Sequence, residues 1–362
     1  MLLRSLALAV CTGLGFPAFA DITVTDILDR QVTIPEPAHR IVLGEGRHLA
    51  VLGLIHDDPV SLVAGWRLER ALDEPTMAAY RAKFPAIDAI RTVGGGARSI
   101  SAETVIALQP DLLVMSLMDA NDPAMQRARD QIEAAGIPVV HVDFFSHPQE
   151  NAIPSLWILG KLTGAETRAE EFAQFYQQRL DRVRTRLADP AISRPSVFFH
   201  VHAAPQGCCS TVGQGVFHDF IATAGGRNIA DAATGVQANV SLEYLIGADP
   251  DFYIATGGTH MAARGGLVLG SGVGPDQARR TFGALIGAPG FNALSAVRDG
   301  RAAGVWHMFN DSPIHIALIE YLAKTFHPDL FADLDPAATL AEIEARFSPV
   351  AVDGTWWIDN RQ

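Results

Sequence analysis

Residues 100 to 116, ISAETVIALQPDLLVMS, and residues 240 to 256, VSLEYLIGADPDFYIAT, are two copies of one pattern that align without a gap. Five positions coincide at a constant offset: Ser101/Ser241, Glu103/Glu243, Ile106/Ile246, Pro110/Pro250 and Asp111/Asp251. Each copy predicts a serine-capped helix, a Pro-Asp turn and an apolar strand, which form one αβ unit of a sheet buried on both faces. The chain therefore predicts two similar α/β lobes with mainly parallel sheets, each with one glutamate at a helix start.

The length of the chain agrees with two lobes, because 362 residues exceed what one hydrophobic core usually organises. We assign residues 21–150 to an N-terminal lobe, 151–190 to a connecting segment and 191–362 to a C-terminal lobe with closing helices. In the connecting segment, apolar residues recur every three or four positions over residues 165–187. This period predicts one long, rigid α-helix of about 23 residues that joins the lobes.

Compact apolar runs predict the other strands. These runs cover residues 41–43, 60–64, 112–115 and 139–142 in the first lobe, and 197–201 and 303–306 in the second. Alternating residues at 22–35 predict a hairpin that turns near Asp29. Residues 313–325 and 336–347 predict the closing helices.

The first twenty residues have the pattern of a cleavable secretory signal: Arg4, an apolar run over residues 6–14, and small residues before Asp21. The apolar run is too short to span a bilayer. Attachment of a lipid at Cys11 is a less favoured alternative, because Val10 is bulkier than the residue that such processing needs. We therefore expect an exported protein.

The net charge of the chain argues against one class of ligand. The formal net charge is −12, and removal of the signal with Arg4 would make it about −13, which repels phosphate backbones. Nucleic-acid binding is therefore not expected.

Beyond Cys11, the cysteines are the adjacent Cys208 and Cys209. Neighbouring Cα atoms are about 3.8 Å apart, closer than in relaxed disulfides, so free thiols and a vicinal disulfide both stay open.

Four segments together resemble a known family. They are DRQVTIPEPAHRIVLGEG (29–46), GGGARSISAETVIALQPDLLV (94–114), VSLEYLIGADPDFYIATGG (240–258) and HPDLFADLDP (327–336). The chain resembles periplasmic substrate-binding proteins of ABC importers for ferric siderophores, haem and cobalamin. This resemblance implies two lobes joined by a helix, and a monomer that carries an iron chelate to a permease dimer. It also implies that Glu103 and Glu243 dock against arginines on the two permease subunits.

A ligand cleft is expected between the lobes, beyond the carboxyl ends of the strands. Candidate ligand contacts follow the predicted strands and loops: Arg47, His48, Trp66, Arg67, Arg98, Met118, Asp119, His260, Arg264, Trp306 and His307. Arginine binds carboxylate or catecholate oxygens in pairs, and tryptophan offers an apolar face to an organic scaffold. This mixture of residues fits a ferric siderophore.

A bare transition-metal ion is the alternative ligand. His200 and His202 alternate on a predicted strand, so their side chains should point to the same side. Two imidazoles make a minimal fork for zinc or manganese, which His141, His260 or His307 would complete. We favour the chelate because no carboxylate stands at a recognisable ligand spacing.

The sequence contains none of the common catalytic motifs that we considered. The sequence lacks G-x-S-x-G, a P-loop, H-E-x-x-H and C-x-x-C. No environment that would activate Cys208 and Cys209 as redox thiols can be read from their neighbours. We therefore expect a binding protein with no catalytic residues and no cofactor.

Overall fold

The computed structural model describes residues 21–94, 99–231 and 238–361, so the expected signal peptide, Cys11 and Arg98 lie outside the described residues. The strands are β1 (Ile22–Thr25), β2 (Gln31–Ile34), β3 (Ile41–Leu43), β4 (Val63–Trp66), β5 (Arg91–Thr92), β6 (Leu112–Ser116), β7 (Val139–Val142), β8 (Ser196–His200), β9 (Ser210–Thr211), β10 (Arg227–Asn228), β11 (Ala238–Asn239), β12 (Phe252–Gly257), β13 (Gly270–Ser271), β14 (Ala302–Trp306), β15 (Gly354–Thr355) and β16 (Trp357–Asp359). The helices are α1 (His48–Ile55), α2 (Glu74–Lys83), α3 (Ala102–Leu108), α4 (Pro123–Ala134), α5 (Pro148–Leu162), α6 (Glu166–Arg186), α7 (Phe217–Thr223), α8 (Leu242–Ala248), α9 (Pro275–Ile286), α10 (Ser295–Arg298), α11 (His315–Phe326) and α12 (Pro336–Arg346).

Two five-stranded sheets organise the chain. The first has the order β5-β4-β3-β6-β7 and is parallel throughout. The second has the order β10-β8-β12-β14-β16, in which only β16 runs antiparallel to its neighbour. Every residue of β6 and β12 is buried, as expected for strands covered on both faces. The predicted fold class, two similar lobes with mainly parallel sheets joined by a long helix, is confirmed.

The repeat in the sequence forms the same local structure twice. The side chains of Ser101 and Ser241 cap α3 and α8, each by accepting a hydrogen bond from the backbone N–H three residues later. Each helix ends at a left-handed residue, Gln109 with φ 47° and Asp249 with φ 35°. The buried strands β6 and β12 follow.

The shared Pro-Asp turn also has a structural role. Asp111 accepts a hydrogen bond of 2.9 Å from the backbone N–H of Arg40, just before β3. Asp251 accepts one of 2.7 Å from the backbone N–H of Ser196, which begins β8. Each aspartate therefore joins the start of its own strand to the start of the neighbouring strand, and this accounts for the recurrence of the dipeptide.

Helix α6 packs against both lobes and is the predicted connecting helix. Its 21 residues extend over about 32 Å. Against the first lobe, its Ala169 approaches Gly160 of α5 so closely that a Cβ on the glycine would lie 2.6 Å from the alanine Cβ. Against the second lobe, the hydroxyl of Tyr176 lies 2.8 Å from Nε2 of His315 in α11. The helix thus contacts both lobes directly.

Two strand ends differ from the prediction. Residues 60–62 form a 3-10 turn rather than the start of a strand, because Pro59 adopts a helical φ of −70° and initiates the turn. Strand β8 ends at His200, because His202 has a left-handed φ of 50° that turns the chain out of the sheet. The second difference changes the site, as described below.

Candidate functional site

A seam between the lobes runs along the carboxyl ends of both sheets. Side-chain contacts that cross it include Arg47 Nη1 at 2.5 Å from Asp311 Oδ1 and Thr76 Oγ1 at 2.8 Å from Ser271 Oγ. A cavity of about 140 Å³ with mainly apolar walls lies beside these contacts, and Trp306 contributes to its lining. This is the position at which parallel sheets commonly bind ligands.

The first-lobe side of the seam is a network of three arginines and three carboxylates, one of which comes from the second lobe. Its ion pairs are Arg47–Glu45 at 2.5 Å, Arg47–Asp311 at 2.5 Å, Arg67–Asp119 at 2.6 Å, Arg70–Glu45 at 3.6 Å and Arg70–Asp119 at 3.6 Å. These six charges cancel, so the network does not leave a net positive charge for an anionic ligand.

Burial and the arginines compete for the carboxylates of this network. Burial opposes ionisation of Glu45, but the charges of Arg47, His48 and Arg70 outweigh it and lower the pKa of the glutamate. For Asp119 and Asp311 burial outweighs the neighbouring arginines and raises the pKa. Glu45 is therefore the carboxylate that the network holds most firmly in its charged form.

The second-lobe side of the seam carries three histidines from adjacent strands. His202 follows β8, His260 follows β12 and His307 follows β14. Nε2 of His260 lies 2.9 Å from Nδ1 of His202, and the rings of His202 and His307 pack together with centroids 3.9 Å apart and planes tilted by 37°. Thr256 Oγ1 lies 3.0 Å from Nδ1 of His307 and accepts the backbone N–H of His202 at 2.9 Å.

These imidazoles are neutral at neutral pH. Burial, with smaller contributions from His260 and Arg264, lowers the pKa of His202 to about 4. Burial lowers the pKa of His307 well below its ordinary value, and Arg47 across the seam adds to the effect. Neutral imidazole is the form that coordinates metals.

Comparison with known proteins identifies the class of molecule. Residues 56–303 match the sequence model of the family described as "Periplasmic binding protein". The chain belongs to this family. Its members are solute-binding proteins of ABC transporters, so this binding protein is not an enzyme.

The crystal structure of the TroA-like periplasmic binding protein FepB from Veillonella parvula resembles this binding protein over 93% of this chain and 99% of that chain. The identity is 26% and the TM-score is 0.86. The structure of an ABC-type Fe3+-hydroxamate transport system from Saccharomonospora viridis is 21% identical, with a TM-score of 0.56 over 84% of this chain and 98% of that chain. At that identity the likeness concerns the fold alone.

A curated relative is the molybdate-binding protein MolA of Haemophilus influenzae, 28% identical over 145 residues, which are 39% of this chain and 38% of MolA. The chain thus matches well under half the length of that relative. The structure of MolA bound to molybdate is 19% identical, with a TM-score of 0.67 over 91% of this chain and 99% of MolA.

The homologues of this binding protein are periplasmic. Within residues 21–94, 99–231 and 238–361, no helix has both the length and the apolar character needed to cross a membrane.

Three of the expected ligand contacts lie inside the first lobe. His48 is buried beside Glu45 and against the ring of Phe144. Trp66 is only 4% exposed and belongs to the hydrophobic core, and Arg67 is 2% exposed and pairs with Asp119. These three side chains are therefore buried, and their assignment as ligand contacts stays a prediction.

The other expected contacts lie nearer the seam. Arg47 crosses it, and Asp119 is buried in the ion-pair network. Met118 is 37% exposed and its sulfur lies 3.5 Å from Arg47 Nη2. His260 and Arg264 are exposed, His307 is half-buried, and Trp306 is mostly buried against Trp356 but lines the cavity.

The expected fork of His200 and His202 is wrong. His200 is buried in the sheet, where its Nδ1 lies 2.7 Å from the hydroxyl of Tyr253 and its ring stacks on Phe291. His202 stands beyond the strand end in a left-handed conformation, so the two side chains do not follow strand alternation. His141 is buried at a distance of 3.3 Å from Asp26 and takes no part in the cluster.

The segment after His202 leads to β9 and contains the two adjacent cysteines. Cys208 and Cys209 form a disulfide between neighbouring residues. Backbone hydrogen bonds between Cys209 and Val240 hold the far end of this segment.

The sequence-based prediction did not identify four residues of the site, namely Glu45, Arg70, Thr256 and Asp311. Asp311 lies 264 positions from its partner Arg47, so no local spacing indicates the pair. Thr256 lies within a buried strand, where threonine is an ordinary residue. The available signal was the position of Glu45 and Arg70 in the segments that follow β3 and β4.

The titration of His200 predicts a pH-dependent stability. Burial lowers its folded pKa to about 4 from an ordinary 6.5, so as the pH falls the unfolded chain binds the proton first. The free energy of unfolding should therefore fall between pH 6.5 and 4, by at most about 1.4 kcal/mol per pH unit from this residue. Urea unfolding of wild type and His200→Gln at several pH values measures this decline in the free energy of unfolding. The variant should show a shallower decline, and equal slopes would contradict this account.

Proposed function

We propose that this binding protein captures an iron chelate at the seam and delivers it to an ABC importer permease. The observation that carries the proposal is the delivery of three neutral imidazoles, His202, His260 and His307, by three adjacent strands to one edge of the second sheet. Imidazole is a nitrogen ligand suited to iron and other transition metals. The family membership makes transport, rather than catalysis, the use of such a site.

A chelate fits this cluster better than the alternative of a bare zinc or manganese ion. Among the described residues, no three His, Cys, Asp or Glu side chains are arranged to hold an ion by themselves. The three rings instead contact one another. A metal that already carries the oxygen ligands of a chelator needs fewer donors from the protein.

The surroundings of the cluster suit an organic anion. Arg264 is exposed and close enough to His202 and His260 to lower the pKa of both. Unlike Arg47 and Arg67, it is outside the ion-pair network, so its charge is available to a chelator. The neighbouring cavity, with Trp306 in its wall, has the apolar lining typical of sites for organic ligands.

A metal oxyanion is the second candidate, because the curated relative MolA binds molybdate. Neutral imidazoles can donate N–H groups, and Arg264 supplies charge, so the same edge of the sheet offers donors to an oxyanion. The closely packed rings of His202 and His307, however, give more apolar surface than a small, strongly hydrated anion uses. We therefore place the chelate first.

The docking role of Glu103 and Glu243 is part of the proposal. Both are exposed in the first turn of a helix that precedes a parallel strand. Such a helix runs back against the strands, so its first turn lies at the edge where the strands end. The two carboxylates therefore stand at the edges that also form the seam, where a permease dimer can contact both. Export by a cleavable signal and a monomeric state complete the proposal.

Native mass spectrometry of protein purified from its own periplasm tests the ligand class directly. We expect an added mass that corresponds to a metal with an organic chelator. A molybdate mass would favour the second candidate, a zinc or manganese mass would favour bare-ion capture, and either would contradict the iron-chelate proposal.

Titration of the purified, ligand-free protein provides a second measurement. Arg264→Gln should weaken binding of an anionic ferric chelate by about tenfold, as expected for loss of one charged contact. Arg301→Gln is the matched control, because Arg301 precedes β14 at the opposite end of the sheet. Equal effects of both variants would show that Arg264 acts only through net charge.

A further inference from the structure

We propose that the cavity beside the seam is a second binding site, which takes a protonated amine on a small aromatic or alkyl body. This site differs in charge from the edge of the second sheet, where the exposed Arg264 favours an anion. The inference goes beyond the proposed function, because it concerns a separate cavity and a ligand of the opposite charge.

The volume and the walls of the cavity suit one small organic group. Its volume is about 140 Å³. An apolar cavity of about 150 Å³ can hold one benzene molecule. Helix α1 contributes Ala50 and Leu54 to the walls, and α12 contributes Leu340 and Ile343. A phenyl ring or a short alkyl chain therefore fits this space.

The charged residues that line the cavity are mostly acidic. Asp73, Asp311 and Glu344 are the acids, and Arg47 is the cation among the lining residues that the structure describes. Arg47 is already paired with Asp311 and with Glu45. Asp73 and Glu344 therefore leave the walls with an excess of negative charge, which favours a cationic ligand.

Asp73, which lines the cavity, has one carboxylate oxygen without a donor. Its Oδ1 caps α2 by accepting a hydrogen bond of 3.0 Å from the backbone N–H of Thr76. Its Oδ2 is buried and has no hydrogen-bond partner among the described residues. A buried polar oxygen without a partner is unfavourable. An ammonium group would supply both the missing donor and a charge of the opposite sign.

Aromatic side chains favour the same ligand. Tyr80, Trp306 and Trp356 line the cavity, and the two tryptophan rings meet edge to face with centroids 4.9 Å apart. The faces of indole and phenol rings attract ammonium groups. The walls therefore offer apolar surface to the body of the amine and an electrostatic attraction to its charge.

A ligand in the cavity would contact both lobes. The residues of the two seam contacts described above, Arg47 with Asp311 and Thr76 with Ser271, all line it. A bound cation should therefore bridge the lobes, and it should stabilise the folded protein in proportion to its concentration and affinity.

The amine has two possible sources, a free small molecule or an arm of the chelator itself. The negative charge of Asp73 acts on His260 and opposes the effect of burial, which lowers the pKa of that histidine. The carboxylate is therefore within electrostatic reach of the histidine cluster. One molecule with an amine-bearing arm could contact both places.

Calorimetric titration of the purified protein with three probes of similar size tests the charge of the ligand. The probes are benzylammonium, the neutral benzyl alcohol and the anion benzoate. Wild type should bind benzylammonium about tenfold more tightly than benzyl alcohol, as expected for one charge-assisted contact, and benzoate most weakly. Absence of benzylammonium binding, or equal binding of the three probes, would overturn the inference.

Asp73→Asn removes the charge and keeps a residue type that caps helices well. This variant should weaken benzylammonium binding by about tenfold and leave benzyl alcohol binding unchanged. Asp122→Asn is the matched control, because Asp122 caps α4 in the same way and does not line the cavity. An equal loss in the control would mean that the amine responds to net charge alone, and the inference would fail.

A variant that fills the cavity tests the location. Ala50→Phe places a ring in the space and should prevent binding of both benzylammonium and benzyl alcohol. Unchanged binding in this variant would place the amine elsewhere and overturn the site. Thermal unfolding of each variant shows whether a loss of binding reflects a loss of folding.

Two ferric complexes distinguish the sources of the amine: a trihydroxamate with a free aminopentyl tail, and the same complex with the amine acetylated. If the chelator supplies the amine, the first complex should block benzylammonium binding and the second should not. If the amine is a free molecule, benzylammonium should bind in the presence of either complex. Blocking by both complexes would mean that the cavity is part of the chelate site, and the second site would be overturned.

The outcomes also separate this inference from the proposed function. If benzylammonium binds and neither ferric complex does, the cation site stands and chelate capture loses its support. If the ferric complexes bind and benzylammonium does not, chelate capture stands and the cation site is overturned.

Discussion

Replacing Glu103 and Glu243 together by arginine is expected to abolish ligand import in cells while the purified protein keeps its ligand affinity. The exposed carboxylates would become cations that repel the permease arginines implied by the family resemblance. The fold should persist, because an exposed acid in the first turn of a helix contributes only about 0.3 to 1 kcal/mol through the helix dipole. Uptake of labelled ligand, together with titration of the purified protein, measures the two effects.

The matched control is Glu166→Arg with Glu171→Arg. Both residues are exposed on α6, Glu166 in its first turn, so the net charge changes equally at a different place. Import should continue in the control. Unchanged import in the Glu103 and Glu243 variant would remove their docking role, and a parallel fall in ligand affinity would move their role to binding.

Arg67→Met is expected to destabilise the fold by about 3 kcal/mol, because it leaves the buried Asp119 without its main partner. The guanidinium is almost fully buried, and its Nη2 lies 2.6 Å from Asp119 Oδ2. Arg70, at 3.6 Å from the same carboxylate, compensates only in part. Denaturant unfolding at neutral pH gives the free energy directly.

The double variant Arg67→Met with Asp119→Leu tests the cause. Removal of both charges leaves no isolated carboxylate in the core, so most of the lost stability should return. In the single variant, the loss of Arg67 lets burial raise the pKa of Asp119 further. Mildly acidic pH should therefore reduce the difference in free energy of unfolding between the single variant and wild type. A double variant as unstable as the single one would mean that Arg67 acts through packing instead.

The backbone of this protein was largely predictable from the sequence, because its signals are local. Ser101 and Ser241 mark helix starts through the bonds their side chains make, and Pro110 and Pro250 mark the turns that follow. The connecting helix was predicted to within one residue at each end from its apolar period. Strand β4 began late because the proline before it starts a turn.

The site was less predictable, because it depends on side-chain direction and on contacts between distant segments. Trp66 ends β4 and His48 follows β3, as ligand contacts at a sheet edge should, yet both side chains are buried in the first lobe. His202 was paired with His200 on the assumption that the strand continued, and one left-handed residue separated them. The partnership of Arg47 with Asp311 exists only once the lobes are assembled.

Helix α6 has a consequence for how cargo is unloaded. Because this helix is anchored in both lobes, it resists hinge bending between them. The ligand-bound form should therefore not differ from the ligand-free form by a large rotation of one lobe against the other. If the proposed permease partner is correct, we expect it to recognise the loaded protein through small adjustments around the pocket, and we expect the transporter's nucleotide cycle to supply the work of separating the lobes.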